Sequence, residues 1–203
     1  MKYKVLKKVD YVTTKWTGGD TTELYIYPEH SSYEKRDFLF RISSATVNLE
    51  KSIFTELDGV SRKLMLLSGK MELVHKDKYN KKLKPFEQDS FKGNWNTESY
   101  GKARDFNLMT RLNCEGKLEA IRLLPGLDFS LDFNTQEAKE SIEVLYNLEA
   151  DIKLSIEGQE LLLEKEDSII FFLDKDSKNC GIKIMNITES FADIIRSTVY
   201  LQK

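Results

Sequence analysis

Histidine, cysteine and proline are scarce in this 203-residue chain, at two, two and three residues. A metal centre built on β-strands needs several His with a carboxylate at close spacing. Here His30 lies in the loop Pro28-Glu29-His30-Ser31-Ser32 and His75 in the charged hairpin His75-Lys76-Asp77-Lys78. Neither neighbours another ligand, so both read as surface residues, and no metal or other cofactor is expected. No Gly-x-Ser-x-Gly elbow occurs, and no His is placed to activate a Ser or Cys. Cys114 and Cys180 lack partners at metal spacing; free thiols are favoured and a disulfide stays open. The longest unbroken aliphatic or aromatic run, Ile169 to Leu173, falls far short of the roughly 20 residues that span a bilayer. The opening residues carry no apolar h-region, so a cytoplasmic location is expected. Charge of one sign is lacking too: 31 Lys+Arg against 33 Asp+Glu leave −2, which argues against nucleic acid or an anionic membrane as partner.

What is present is β-pattern. Thr22–Tyr27 is β-rich and stops at Pro28, which cannot continue a central strand. Phe38–Val47 splits by parity into two mostly apolar or small faces, as expected of a strand covered on both sides. Arg62–Leu67, Met71–Val74, Phe106–Leu112, Leu118–Leu123 and Leu127–Phe133 also read as strands. So do Ser141–Leu148, Ala150–Ile156, Gln159–Leu163, Ser168–Leu173, Gly181–Ile187 and Ile194–Leu201. Turns are expected at Pro125-Gly126 and Glu157-Gly158. Only Thr135–Glu140 looks helical, and it is too short to be more than a turn. Many short strands punctuated by turns predict an all-β sandwich or barrel. A weak internal echo places Leu83 and Asp89 against Leu161 and Asp167, as if one β-unit occurred twice.

Several segments together resemble the HutD/Ves family of bicupins. They are Trp16–Leu24, Arg36–Ser43, Ser52-Ile53-Phe54, Gly59–Arg62, Leu66–Gly69, Leu83–Phe86 and Asp105–Arg111. The resemblance implies two cupin-like, RmlC-type β-barrels in one chain. The expected division is an N-terminal barrel over 1–114, carrying the family segments and the pocket, and a structural C-terminal barrel over 115–203, with strands open to exchange between them. It further implies binding of a small carboxylate metabolite, such as a formylglutamate-like product, in a regulatory or stress-response role linked to histidine utilisation, without catalysis.

Arginine usage locates the pocket. Five of the seven arginines fall between residues 36 and 111 in a chain that otherwise prefers Lys. An Arg inside an apolar strand needs an anion or several acceptors, because burying it unpaired is costly. Arg41 shares a strand face with Ser43, and Arg62 opens an apolar strand; both fit a planar guanidinium gripping a carboxylate. Glu23 and Asp105 are the candidate internal partners that would make either arginine structural instead. Asp105 and Asn107 share parity and can orient an arginine or touch the ligand. The ligand set is therefore Arg62, Arg41, Ser43, Glu23, Asp105 and Asn107. A Glu23–Asp105 acid–base pair, acting in a metal-independent isomerase or hydrolase, is the enzymatic rival; a protein-interaction module is another. Gly18-Gly19-Asp20 reads as a turn, since no helix follows to cradle a phosphate. Trp95, on a polar loop, reads as a cover for a pocket mouth or an exposed anchor. The C-terminal arginines, Arg122 and Arg196, lie in alternating strands, and no inward polar cluster is expected there. A homodimer stays open.

Overall fold

Period-two alternation organises nearly the whole chain, and the computed structural model resolves it into strands over residues 1–112, 114–133, 140–174, 177 and 181–201. Cys180 and residues 135–139 lie outside the described residues. The chain forms two compact units: Tyr11–Gly116, and a second assembled from Met1–Asp10 with Lys117–Lys203. The first ten residues, placed by the sequence in the N-terminal barrel, therefore belong with the C-terminal one. The reason is direct pairing: β1 (Lys2–Leu6) runs antiparallel to β17 (Ser168–Leu173).

In the unit Tyr11–Gly116, a six-stranded sheet has the order β2-β3-β4-β11-β6-β9. Its members are β2 (Val12–Trp16), β3 (Gly19–Tyr27), β4 (Phe40–Val47), β6 (Val60–Gly69), β9 (Gln88–Lys92) and β11 (Ala103–Arg111). A four-stranded sheet, β5-β10-β7-β8, contains β5 (Lys51–Ile53), β7 (Met71–His75), β8 (Tyr79–Leu83) and β10 (Thr97–Tyr100). Leu64, Leu66 and Phe91 of the first sheet pack with Met71, Leu73 and Leu83 of the second. The Gly18-Gly19 turn brings backbones together: a Cβ on Gly19 would lie 1.8 Å from the Thr46 carbonyl oxygen, so only glycine fits.

The other unit repeats this plan. One sheet, β1-β17-β14-β19-β12, includes β12 (Cys114–Leu123), β14 (Glu140–Asn147) and β19 (Ala192–Leu201). The second, β13-β18-β15-β16, contains β13 (Asp128–Leu131), β15 (Ile152–Ile156), β16 (Gln159–Leu163) and β18 (Ile182–Asn186). β15 and β16 are joined by Glu157-Gly158, both at positive φ (50° and 81°), as a tight hairpin requires. Ile152, Leu154, Ile169 and Phe171 lie at its core.

The internal echo is real but its alignment shifts. Lys84-Pro85-Phe86-Glu87 and Glu164-Lys165-Glu166-Asp167 are the same turn, with Phe86 and Glu166 left-handed at φ 68° and 67°. In each, the fourth residue's carboxylate accepts from the first residue's backbone N–H, at 2.9 and 3.1 Å. Phe86 N donates to Leu66 O as Glu166 N donates to Asn147 O, at 2.7 Å in both. Glu87 thus corresponds to Asp167 and Leu66 to Asn147, where the sequence paired Asp89 with Asp167. The acidic turn cap, not the following strand residue, is what recurs.

Candidate binding site

The registers of the six-stranded sheet assemble the site. Across β3, β4 and β11, Glu23 stands opposite Ser43, and Ser43 opposite Asn107. One row along, Arg41 stands opposite Met109, and Met109 opposite Arg62 on β6. Strand parity sends these side chains, with that of Asp105, to one face. All six residues selected from the sequence line a single cavity of about 500 Å³. Ser52 and Ser99 of the four-stranded sheet line it too, as do Phe54 and the loop residues Ser31 to Glu34.

The two arginines are held differently. Arg41 Nε donates to Glu23 Oε2 at 2.6 Å and Nη1 to Ser43 Oγ at 3.2 Å, and its guanidinium lies 4.5 Å from the Tyr33 ring centroid. Its internal ion pair is thus made with Glu23. Arg62 is 5% exposed and, among the described residues, has no carboxylate in contact; its Nη2 donates to Asn107 Oδ1 at 3.1 Å. Asn107 Nδ2 in turn donates to Asp105 Oδ1 at 2.5 Å. The guanidinium is flanked by Phe54 and Phe91, at 4.6 and 5.3 Å from their centroids. Arg62 Nε, Ser52 Oγ and Ser99 Oγ are buried without a hydrogen-bond partner. Three unanswered donors lining one cavity are costly in an empty site, and a polar ligand answers them.

Burial sets the electrostatics. It pushes the Asp105 carboxyl up to about 7, outweighing the Arg62 charge and the Asn107 hydrogen bond. Burial likewise lowers Arg62 to about 10, against the opposing charges of Tyr33 and Asp105. Arg62 therefore stays cationic at neutral pH, while Asp105 sits between its two forms.

With this geometry in hand, the family is decided by a match to the HutD family model over residues 8–184. The chain belongs to the HutD family. A conserved protein of unknown function from Pseudomonas aeruginosa PAO1 is similar over 99% of this chain and 100% of that one, at 20% identity and TM-score 0.77. HutD from Pseudomonas fluorescens SBW25, solved in a formate condition, matches over the full length of both chains at 19% identity and TM-score 0.67. Lactobacillus farciminis oxalate decarboxylase, solved as a formate complex, covers 96% of this chain and 85% of that one, at 8% identity and TM-score 0.69. These likenesses establish the all-β, bicupin-like fold of this HutD-family chain.

Two expectations need correction. His75 is 1% exposed, not a surface residue. Its Nε2 pairs with Asp89 Oδ2 and its Nδ1 with Thr97 Oγ1, both at 2.9 Å, and Tyr79, Phe91 and Trp95 pack on its ring. The charged residues that follow it occupy the turn, while parity turns His75 inward with Met71 and Leu73. Trp95 accordingly anchors His75 and does not line the 500 Å³ cavity. Among the described residues no group of three or more His, Cys, Asp and Glu lies placed to hold a metal ion, and His75 is engaged by Asp89 and Thr97.

The second correction concerns Glu143 and Arg196 of the other unit, where an inward polar cluster does exist. Arg196 Nε and Nη2 donate to Glu143 Oε2 and Oε1 at 2.9 and 3.0 Å, and Thr198 Oγ1 donates to Oε2 at 2.8 Å. Following the repeat from Leu66 and Asn147, Glu143 corresponds to Arg62, Arg196 to Asn107 and Ile194 to Asp105. Sequence reasoning missed this cluster, and also Ser52, Ser99 and Tyr33. Ser52 sat inside a segment already singled out; a hydroxyl on the covered side of so short a strand was the available signal.

Proposed function

We propose that this protein binds a small carboxylate metabolite, of the formylglutamate-like kind, in the cavity of the unit Tyr11–Gly116, in a regulatory rather than a catalytic role. The observation that carries this reading is Arg62: a buried guanidinium on the cavity wall whose Nε has no partner. The equivalent place in the other unit is closed by the Glu143–Arg196 pair, a carboxylate gripped by two parallel hydrogen bonds. Where that unit supplies its own carboxylate, this one leaves an arginine beside open space. Ser52 and Ser99 on the opposite wall add two hydroxyls for a polar end, and Phe54 and Met109 supply apolar surface for a short aliphatic stem. Small carboxylates at millimolar concentration are expected to raise the melting temperature of the purified protein. A panel of short dicarboxylates and formylated or carbamoylated amino acids tests this, and no stabilisation by any member would refute the reading.

Asp105, poised near neutrality in the same cavity, favours a second reading as a metal-independent acid–base enzyme acting on such a metabolite. Chemical conversion of a bound panel member, followed by NMR, would decide for it.

A further inference from the structure

We propose that the cavity takes up one proton with each carboxylate anion it binds, and that Asp105 is the group that accepts it. This rests on the carboxylate-binding reading and adds how that binding is regulated. Arg62, Asn107 and Asp105 form one hydrogen-bonded chain, from Arg62 Nη2 to Asn107 Oδ1 at 3.1 Å and from Asn107 Nδ2 to Asp105 Oδ1 at 2.5 Å. Asp105 is 1% exposed, and among the described residues it pairs with no cation directly. The other charged and titratable groups lining the cavity are Glu23 on β3, Arg41 on β4, and Tyr33 and Glu34 on the loop before β4; β5 and β10 contribute only hydroxyls and apolar groups. Glu23 and Arg41 neutralise each other across 2.6 Å. Glu34 is exposed to solvent, so Arg62 is the one cation left inside for two buried anions, Asp105 and the ligand carboxylate.

A second negative charge in a desolvated chain is costly, and a proton from solvent removes it by turning the Asp105 carboxylate into a carboxylic acid. The other unit obeys the same count. There one arginine, Arg196, faces one buried carboxylate, Glu143; its second anion, Glu119 at 3.6 Å, stays exposed to water, and the position of Asp105 is an isoleucine, Ile194. Burial already holds free Asp105 at about 7, so small added repulsion suffices to keep it protonated. The sign follows. An anion raises the proton affinity of Asp105, so protons raise the affinity for the anion, and binding weakens as pH climbs above about 7.

Isothermal titration of formate and of N-formylglutamate into the parent protein from pH 6 to pH 9 tests this. Both carboxylate probes stay ionised throughout that range. The dissociation constant is expected to be nearly flat below pH 7 and to rise by up to about tenfold per pH unit above it. At pH 8, the apparent enthalpy in Tris and in phosphate-free HEPES should differ by close to one proton's worth of buffer ionisation. D105N is expected to lose the slope whatever its affinity. Should that variant misfold, carboxyl NMR of the parent gives the same answer: the Asp105 midpoint should move up on saturation with formate. Binding that persists with no pH slope, no buffer dependence and an unmoved midpoint overturns the proton linkage and leaves carboxylate binding standing. No binding of either probe at any pH overturns both.

Discussion

At the scale of single residues, the cavity distinguishes an arginine that is answered, Arg41, from one that is not, Arg62. Arg41 was legible in the sequence as a buried cation, but not which partner it would take; that depends on the β3–β4 register that sets Glu23 beside Ser43. Arg62 was legible for the same reason and kept its open donor. R62K should therefore weaken carboxylate binding by roughly ten- to a hundredfold, because Lys offers a point charge in place of a planar fork. Its melting temperature without ligand should change little, since the guanidinium makes a single protein hydrogen bond. Titration calorimetry and thermal melts on the same preparation separate the two effects. Asp105 carries a pH signature of its own. Its folded-state value of about 7 lies above that of an unfolded aspartate, so the folded state holds the extra proton between them. Stability is then full below about pH 4, falls as pH rises from there through about 7, and has lost on the order of 4 kcal/mol by pH 8, where it levels off. D105N should gain on the parent between pH 5 and pH 8 in urea denaturation; parallel profiles would show that Asp105 titrates normally.

At the scale of elements, the two units use one framework with different fillings. Following the register outward, His75, Asp89 and Thr97 occupy the places of Ile156, Ile169 and Ile182, all three buried. Burial pushes Asp89 up, but hydrogen bonds from His75, the Ser90 backbone N–H and Lys81 outweigh it and hold its carboxyl below the usual range. A buried polar cluster of this kind is sound only while complete. H75A alone should cost about 2–4 kcal/mol, by removing one of Asp89's donors, the partner of Thr97 and the ring packed against Tyr79, Phe91 and Trp95, whereas H75I, D89I and T97I together should cost far less, as the other unit folds around those isoleucines. Equal loss in the single and triple variants, measured by chemical denaturation, would refute the equivalence. Strands with one covered face were legible because burial imposes alternation. Lys2–Leu6, Val12–Trp16 and Tyr79–Leu83 were not, because mostly exposed strands carry no such pattern. The repeat was legible as a rhythm, while its alignment depended on the turn carboxylates of Glu87 and Asp167.

At the scale of the whole molecule, the order of residues along the chain and their grouping into units differ at one place. The N-terminal ten residues leave the N-terminal unit and complete the other one. They do so with more than a strand. Lys8 N donates to Asp167 Oδ1 at 2.9 Å and Lys7 Nζ to Oδ2 at 2.8 Å, while Val5 packs on the Ile169 and Phe171 core. Asp167 is 2% exposed, so losing those donors leaves a buried carboxylate answered, among the described residues, by the Glu164 backbone N–H alone. Removing residues 1–10 should therefore destabilise the unit Lys117–Lys203 by several kcal/mol, the scale set by an unpaired buried charge together with an uncovered strand edge. The cavity residues run from Val12 to Met109 and include none of those ten. The truncated chain should thus retain the carboxylate affinity of the parent at temperatures where both units stay folded. Hydrogen exchange should show lost protection in β14, β17 and β19 and preserved protection in β4, β6 and β11. The reverse pattern would mean that the first strand supports the binding unit instead.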